Sequence, residues 1–145
     1  MRVVAAPDKF KGTASAQQIA AAICSGVARA DPDASCLAVP MADGGEGTLA
    51  ALGGANRTST VTGPLGTRVE AQWRLDRGSA VIEMAQAAGL VLAGGAEGND
   101  PLEATTRGVG ELMVEAIEAG ADSIVVAVGG SATTDGGLGA IEALG

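Results

Sequence analysis

CLAVPMADGGEGTLAALG, residues 36–53, contains the transition that decides the fold. It begins with a short apolar run, CLAVP (36–40), which reads as a buried strand. It then crosses a turn holding Asp43, Gly44, Gly45, Glu46 and Gly47, and ends in a short helical pattern, about 45–52. Upstream, RVVAA (2–6) is a second short buried strand, stopped by Pro7. Ser15-Ala-Gln-Gln18 is a capping box. It opens a helix whose apolar face is Ile19, Ala22, Ile23 and Val27, and Asp31-Pro32-Asp33 forms the following turn. Short apolar strands in the order β-α-β-α predict an α/β protein with Rossmann-like parallel units.

Further along, the pattern changes. TSTVT, TRVEAQWRL and SAVIEMA alternate and are rich in β-branched residues, separated by GPLG and DRGS turns. They predict three strands, an antiparallel patch or the start of a second α/β segment. Asp100-Pro101-x-Glu103 has the form of a helix cap, with an apolar stripe of Val109, Leu112, Met113, Ala116 and Ile117 behind it and Gly120 ending the helix. SIVVAV (123–128) reads as a buried strand, followed by GGSATTDGG and a last short helix. The expected division is 1–60 for part of a Rossmann-like domain and 61–145 for the first part of a second α/β domain.

DGGEGTLAALG (43–53) and DGGLGAIEALG (135–145) match at seven of eleven positions. Each follows a strand and sets Asp-Gly-Gly at a helix start. Either one β-turn-α solution was reached twice, or two turns face one ligand.

The 145 residues carry a net charge of −8 and no Lys/Arg cluster, which argues against nucleic acid and anionic membrane as partners. No apolar run approaches a membrane span, and the charged N-terminus is unlike a signal peptide, so a cytoplasmic protein is expected. Cys24 and Cys36 are expected as reduced structural thiols.

Histidine is absent, and both lysines, Lys9 and Lys11, lie in APDKFKGT at the exit of the first strand. Ligands of parallel α/β sheets bind beyond strand carboxyl ends, and a lysine there suits a phosphate or carboxylate. Gly44, Gly45 and Gly47, Gly129 and Gly130 with Ser131, and Gly136 with Gly137 leave amides uncovered for an anion. Asp43 and Asp135 would repel a naked phosphate unless Mg²⁺ bridged them to its oxygens; each is also a good helix cap. Glu83, within AVIEMA, either faces a cleft or lies on the wet side of an alternating strand, the latter being favoured. Gly45-Glu-Gly47-Thr-Leu-Ala50 is a weak dinucleotide match, and there is no P-loop lysine motif. Ammonium, carboxylate and bare amide together suit phosphoryl transfer, which needs positioning and charge neutralisation and no histidine.

APDKFKGT, PMADGGEGT, TGPLG, AVIEMAQAAGL, ATTRGVGE and VGGSATTDGGLG, in this order, resemble the bacterial type I glycerate kinases from residue 3 to the end. The resemblance implies two α/β domains around a cleft, and phosphorylation of D-glycerate by ATP with Mg²⁺, usually to 2-phosphoglycerate. Carried over, it points to Asp8, Lys9 and Lys11; to Asp43, Gly44, Gly45 and Glu46; and to Gly129, Gly130, Ser131 and Asp135. Asp43 or Asp135 is the expected catalytic base, and both are expected Mg²⁺ ligands. Lys9 and Lys11 are expected to neutralise the glycerate carboxylate or the moving phosphoryl group. Thr134 stands where the family has Asn. Family members are much longer, so the chain is expected to be an N-terminal portion, prone to self-association and inactive alone. The competing expectation is a non-catalytic anion- or nucleotide-binding module.

Overall fold

The computed structural model describes residues 1–10 and 13–145. Two compact units emerge, Met1–Asp43 and Gly44–Gly145. Residue 60, the expected boundary, lies inside a strand that is paired along its whole length in the second unit.

The first unit is one parallel β-α-β step: β1 (Arg2–Ala5), α1 (Ala16–Ala30) and β2 (Ser35–Ala38). β1 and β2 pair in parallel, Val3 opposite Cys36. The capping box is present: the Ser15 hydroxyl accepts from the Gln18 amide at 3.2 Å, and the Gln18 side chain accepts from the Ser15 amide at 2.9 Å. The buried face of α1 differs from the expected one. Ala16 and Ala20 are buried, whereas Ala22 and Ile23 are exposed, so the helix meets the strands through its smallest side chains. The two strands are not buried as expected either. Val4 is 64% exposed and Leu37 61%, since a single helix packs on a two-stranded sheet.

The cysteines depart from the expected thiols. Cys24 of α1 and Cys36 of β2 form a disulfide, their Cα atoms 5.3 Å apart. The register of α1 over β2 brings the two positions within bridging distance. The loop it closes is short, at a sequence separation of 12. Loop-closure entropy then predicts a loss of about 3 kcal/mol for Cys36→Ser under oxidising conditions. Denaturant unfolding should show this difference for the first unit and should lose it when dithiothreitol is added.

The second unit holds a four-stranded sheet in the order β3-β4-β5-β6. β3 (Arg57–Thr62), β4 (Arg68–Asp76) and β5 (Ser79–Glu83) are antiparallel neighbours, as their alternation predicts. The β4–β5 turn places Arg77 and Gly78 at φ 49° and 79°, the twist a two-residue hairpin requires. The short helices α2 (Thr48–Ala51), α3 (Ala85–Ala88) and α4 (Gly95–Gly98) precede the longer α5 (Arg107–Glu118). β6 (Ser123–Ala127) pairs in parallel with β5, and α6 (Leu138–Leu144) follows. β6 is an edge strand, and Val125 is 48% exposed, so the expected burial on both faces is not met.

α5 starts later than expected. Asp100 closes a single turn, accepting from the Glu103 and Ala104 amides through its carbonyl, and the helix begins only after Thr106. Its inner side packs on the sheet. Val109, Leu112 and Ala116 join Val61, Ala71, Trp73, Ala80 and Ile82 in the core, while Ile117 stays exposed. Trp73 donates to the Ser59 hydroxyl at 2.9 Å, so the one indole in the chain buries no orphan donor.

Candidate active site

In the first unit, β1 ends at Pro7-Asp8-Lys9. The Lys9 ammonium lies 3.3 Å from Asp43 Oδ1 and 4.0 Å from Asp8 Oδ1. The Lys9 amide also donates to Asp8 Oδ1 at 2.6 Å, which turns the loop back on itself. Lys9 is mostly covered, 17% exposed, and Asp43 is open, at 59%. An ammonium placed against a solvent-facing carboxylate orients it. Lys11 lies outside the described residues.

In the second unit, the exits of β5 and β6 clamp the glycine-rich turn that begins at Gly44. The Gly129 amide donates to the Gly44 carbonyl at 2.9 Å. A Cβ on Gly129 would overlap Gly45 Cα, so the two backbones meet with no room for a side chain. From β5, Glu83 accepts from the Leu49 amide at 2.6 Å, and the Thr48 hydroxyl donates to the Gly45 carbonyl at 2.6 Å. Gly44, Gly45 and Gly129 are therefore brought together. Glu46 is exposed on the same turn.

Past Gly129, the loop is tied to the α3 region. The Gly130 carbonyl accepts from the Leu90 amide, and the Ala132 amide donates to the Ala88 carbonyl, both at 2.9 Å. Ser131 and Thr133 share a hydroxyl contact of 2.8 Å. Thr134 donates to the Pro101 carbonyl at 2.5 Å, which gives a structural use to the hydroxyl at this position.

Asp135 is engaged differently from Asp43. Its Oδ2 accepts from the Thr106 amide at 2.8 Å, the Thr106 hydroxyl at 2.7 Å and the Gly139 amide at 3.1 Å. Its Oδ1 accepts from the Gly137 amide at 3.1 Å. The Thr106 hydroxyl in turn accepts from the Ala140 amide at 3.0 Å. Asp135 thus closes the starts of α5 and α6 together. Burial pushes its carboxyl pKa up, but the Thr106 and glycine donors outweigh this and hold it below the ordinary 3.8. Glu111 behaves alike: burial raises it, while Thr62, Arg68 and Arg107 pull it below 4.5.

Both groups have folded-state values below their unfolded ones. Their stabilisation is present above the unfolded pKa, near pH 4, and is lost as pH falls through the folded values. Urea midpoints should therefore drop on going below about pH 4. Asp135→Asn, which turns an amide toward three amide donors, should lower the neutral midpoint and flatten that drop. An unchanged acid slope in the variant would contradict this role.

The donor set around Asp135 does not suit a cation. Both of its oxygens accept from N–H or O–H groups, and Asp43 faces an ammonium. Among the described residues, no group of three cysteines or acids stands at metal-binding spacing. The expectation that Asp43 and Asp135 share a magnesium ion does not fit these partners.

Sequence reasoning favoured the wrong side for Glu83 and did not single out Thr106. Glu83 is 3% exposed and Thr106 1%, so neither lies on a wet face. β5 is the interior strand between β4 and β6, and its last four residues are buried; the alternation that favoured a wet Glu83 does not apply there. The only sequence signal was the presence of each in a motif, AVIEMA and ATTRG.

The chain is an α/β protein with glycine-rich turns at its strand exits, a class that binds ligands beyond the carboxyl ends of its strands. Residues 3–145 match the Glycerate kinase family model. The glycerate 2-kinase of Escherichia coli K12 is 50% identical over 151 aligned positions, covering 100% of this chain and 39% of that protein. A glycerate kinase of Halalkalibacterium halodurans is 47% identical, covering 99% and 39%. A crystal structure assigned as glycerate kinase 2 from Salmonella typhimurium LT2 superposes with a TM-score of 0.84 at 46% identity, covering 100% of this chain and 40% of that one. The chain belongs to the glycerate kinase family, and it spans about two fifths of the length of these relatives.

Proposed function

We propose that this chain supplies part of the site of an ATP-dependent kinase that phosphorylates D-glycerate to 2-phosphoglycerate. The observation that carries the reading is the Lys9–Asp43 pair at 3.3 Å, because the turn it adjoins is the glycine-rich one. In this reading Asp43 accepts the proton of the attacking glycerate hydroxyl as its oxygen bonds to the γ-phosphorus and the bond to ADP breaks. Phosphoryl transfer asks for such a base together with neutralised charge. Lys9 orients Asp43, and the two lysine charges of the first loop, Lys9 and Lys11, neutralise the glycerate carboxylate or the phosphoryl group, with Asp8 beside Lys9. Gly44, Gly45 and Glu46, and Gly129, Gly130 and Ser131, border the path of the phosphates. Asp135 serves this site as the cap that sets α5 and α6, in place of the base or metal role first expected. Magnesium, which favours substrate phosphate oxygens, would neutralise the nucleotide's charge.

The cytoplasm, where ATP is made, is the setting this reaction needs. Within the family pattern, two α/β domains close on the cleft, and the exposed Val4, Leu37, Leu138 and Ile141 are surfaces through which the 145-residue chain would self-associate. Among the described residues no helix is long and apolar enough to cross a membrane. Glycerate-dependent release of ADP by the complete gene product tests the reading. Binding of ATP without any turnover on D-glycerate would replace it with the binding-module alternative.

A further inference from the structure

The two DGGxG turns share a sequence but start their helices two residues apart. In the second, Gly137 is the N-cap and α6 begins at Leu138. In the first, Gly47 is the N-cap, at φ 96°, and α2 begins at Thr48. Neither N-cap glycine has a side chain to satisfy the helix-start amides, yet in both the second helical amide has a carboxylate. At α6 that amide is Gly139, and its acceptor is Asp135 of the turn itself. At α2 it is Leu49, and its acceptor is Glu83, 34 residues away at the end of β5.

We propose that Glu83 is the remote cap of α2 and a positioning residue for the Gly44–Gly47 turn. It does for the first turn what Asp135 does for the second. The Asp43 carboxylate, which stands where Asp135 stands in the repeat, has the Lys9 ammonium 3.3 Å away. The clamp has two jaws, both at exits of adjacent parallel strands: Glu83 from β5 grips Leu49, and Gly129 from β6 grips Gly44. Burial makes the grip costly to break, because a polar group 3% exposed that loses its partner is left unsatisfied away from water. Asp43 is the residue immediately before this turn in the chain.

This inference rests on the kinase reading for its catalytic consequence but not for the bond itself, and two measurements separate them. The first follows the Leu49 amide by ¹⁵N-edited NMR and hydrogen exchange. Glu83→Ala should shift that resonance upfield and remove its protection, while Glu83→Gln, which keeps a carbonyl acceptor, should retain both. The second measures glycerate phosphorylation by the complete gene product. Glu83→Ala should lower kcat about 100-fold, the effect of a small misplacement of a reacting group, with Glu83→Gln recovering most of it. If Glu83→Ala fails to fold, Glu83→Gln decides alone: near wild-type kcat and an unshifted Leu49 amide support the cap. A Leu49 amide unaltered in Glu83→Ala, or a Glu83→Gln as impaired as Glu83→Ala, overturns it. Wild-type protein without kinase activity would remove the kinase reading and leave the NMR result to judge the cap.

Discussion

Gly129→Ala is expected to collapse activity about 100-fold while leaving most of the fold in place. The methyl group has nowhere to go. It would overlap Gly45 Cα and crowd Gly45 N and the Gly44 carbonyl, and these are backbone atoms that no rotamer change can move aside. Either the turn retreats and the 2.9 Å bond from Gly129 to Gly44 breaks, or the end of β6 shifts. Overpacking of this kind costs about 1–3 kcal/mol. Gly26→Ala is the matched control. A Cβ there meets nothing within 4 Å, and the position is inside α1, so it should stabilise by about 0.5–1 kcal/mol and leave kcat unaltered. Urea unfolding and steady-state kinetics on both variants check this. A Gly129→Ala enzyme with wild-type kcat would mean the close approach has no bearing on the site.

Asp43→Asn is expected to lower kcat by about 10²- to 10⁴-fold, the share a positioned general base contributes. Its stability should change little, since the carboxylate is 59% exposed, and an ion pair with one partner open to solvent is worth little. Asp135→Asn should show the opposite balance, a clear loss of stability with a smaller kinetic effect, because its oxygens face four donors inside the fold. Comparing the two variants by kcat and by urea midpoint separates a reacting carboxylate from a capping one. Equal kinetic losses, or a large stability loss at Asp43, would reverse the assignment.

Much of this was legible before any coordinates, and the parts that were not share a cause. The β-branched alternation of residues 58–83 identified the antiparallel strands, since one period-2 pattern per strand encodes both pairing and facing. Ser15 and Gln18 located the start of α1 because a capping box is local chemistry. Asp100 failed by the same logic. Its cap-like spacing was satisfied by one turn, while the true start of α5 is set by Thr106, held from across the chain by Asp135. Glu83 is the same kind of case. An acid in an apolar strand is ambiguous until its partner is known, and the partner, Leu49, is 34 residues away. The disulfide depended on the register of α1 over β2, which neither cysteine's neighbourhood reports. The glycine motifs located the close-packed turns in sequence; which acid faces Lys9 and which one caps two helices is tertiary information.

The most direct measurement is ³¹P NMR of the complete gene product with ATP, Mg²⁺ and D-glycerate. The account predicts ADP and a new phosphomonoester on the C2 oxygen, appearing with wild type and nearly absent with Asp43→Asn. A product formed equally well by Asp43→Asn, or unchanged ATP in the presence of saturating glycerate and wild-type protein, would contradict it.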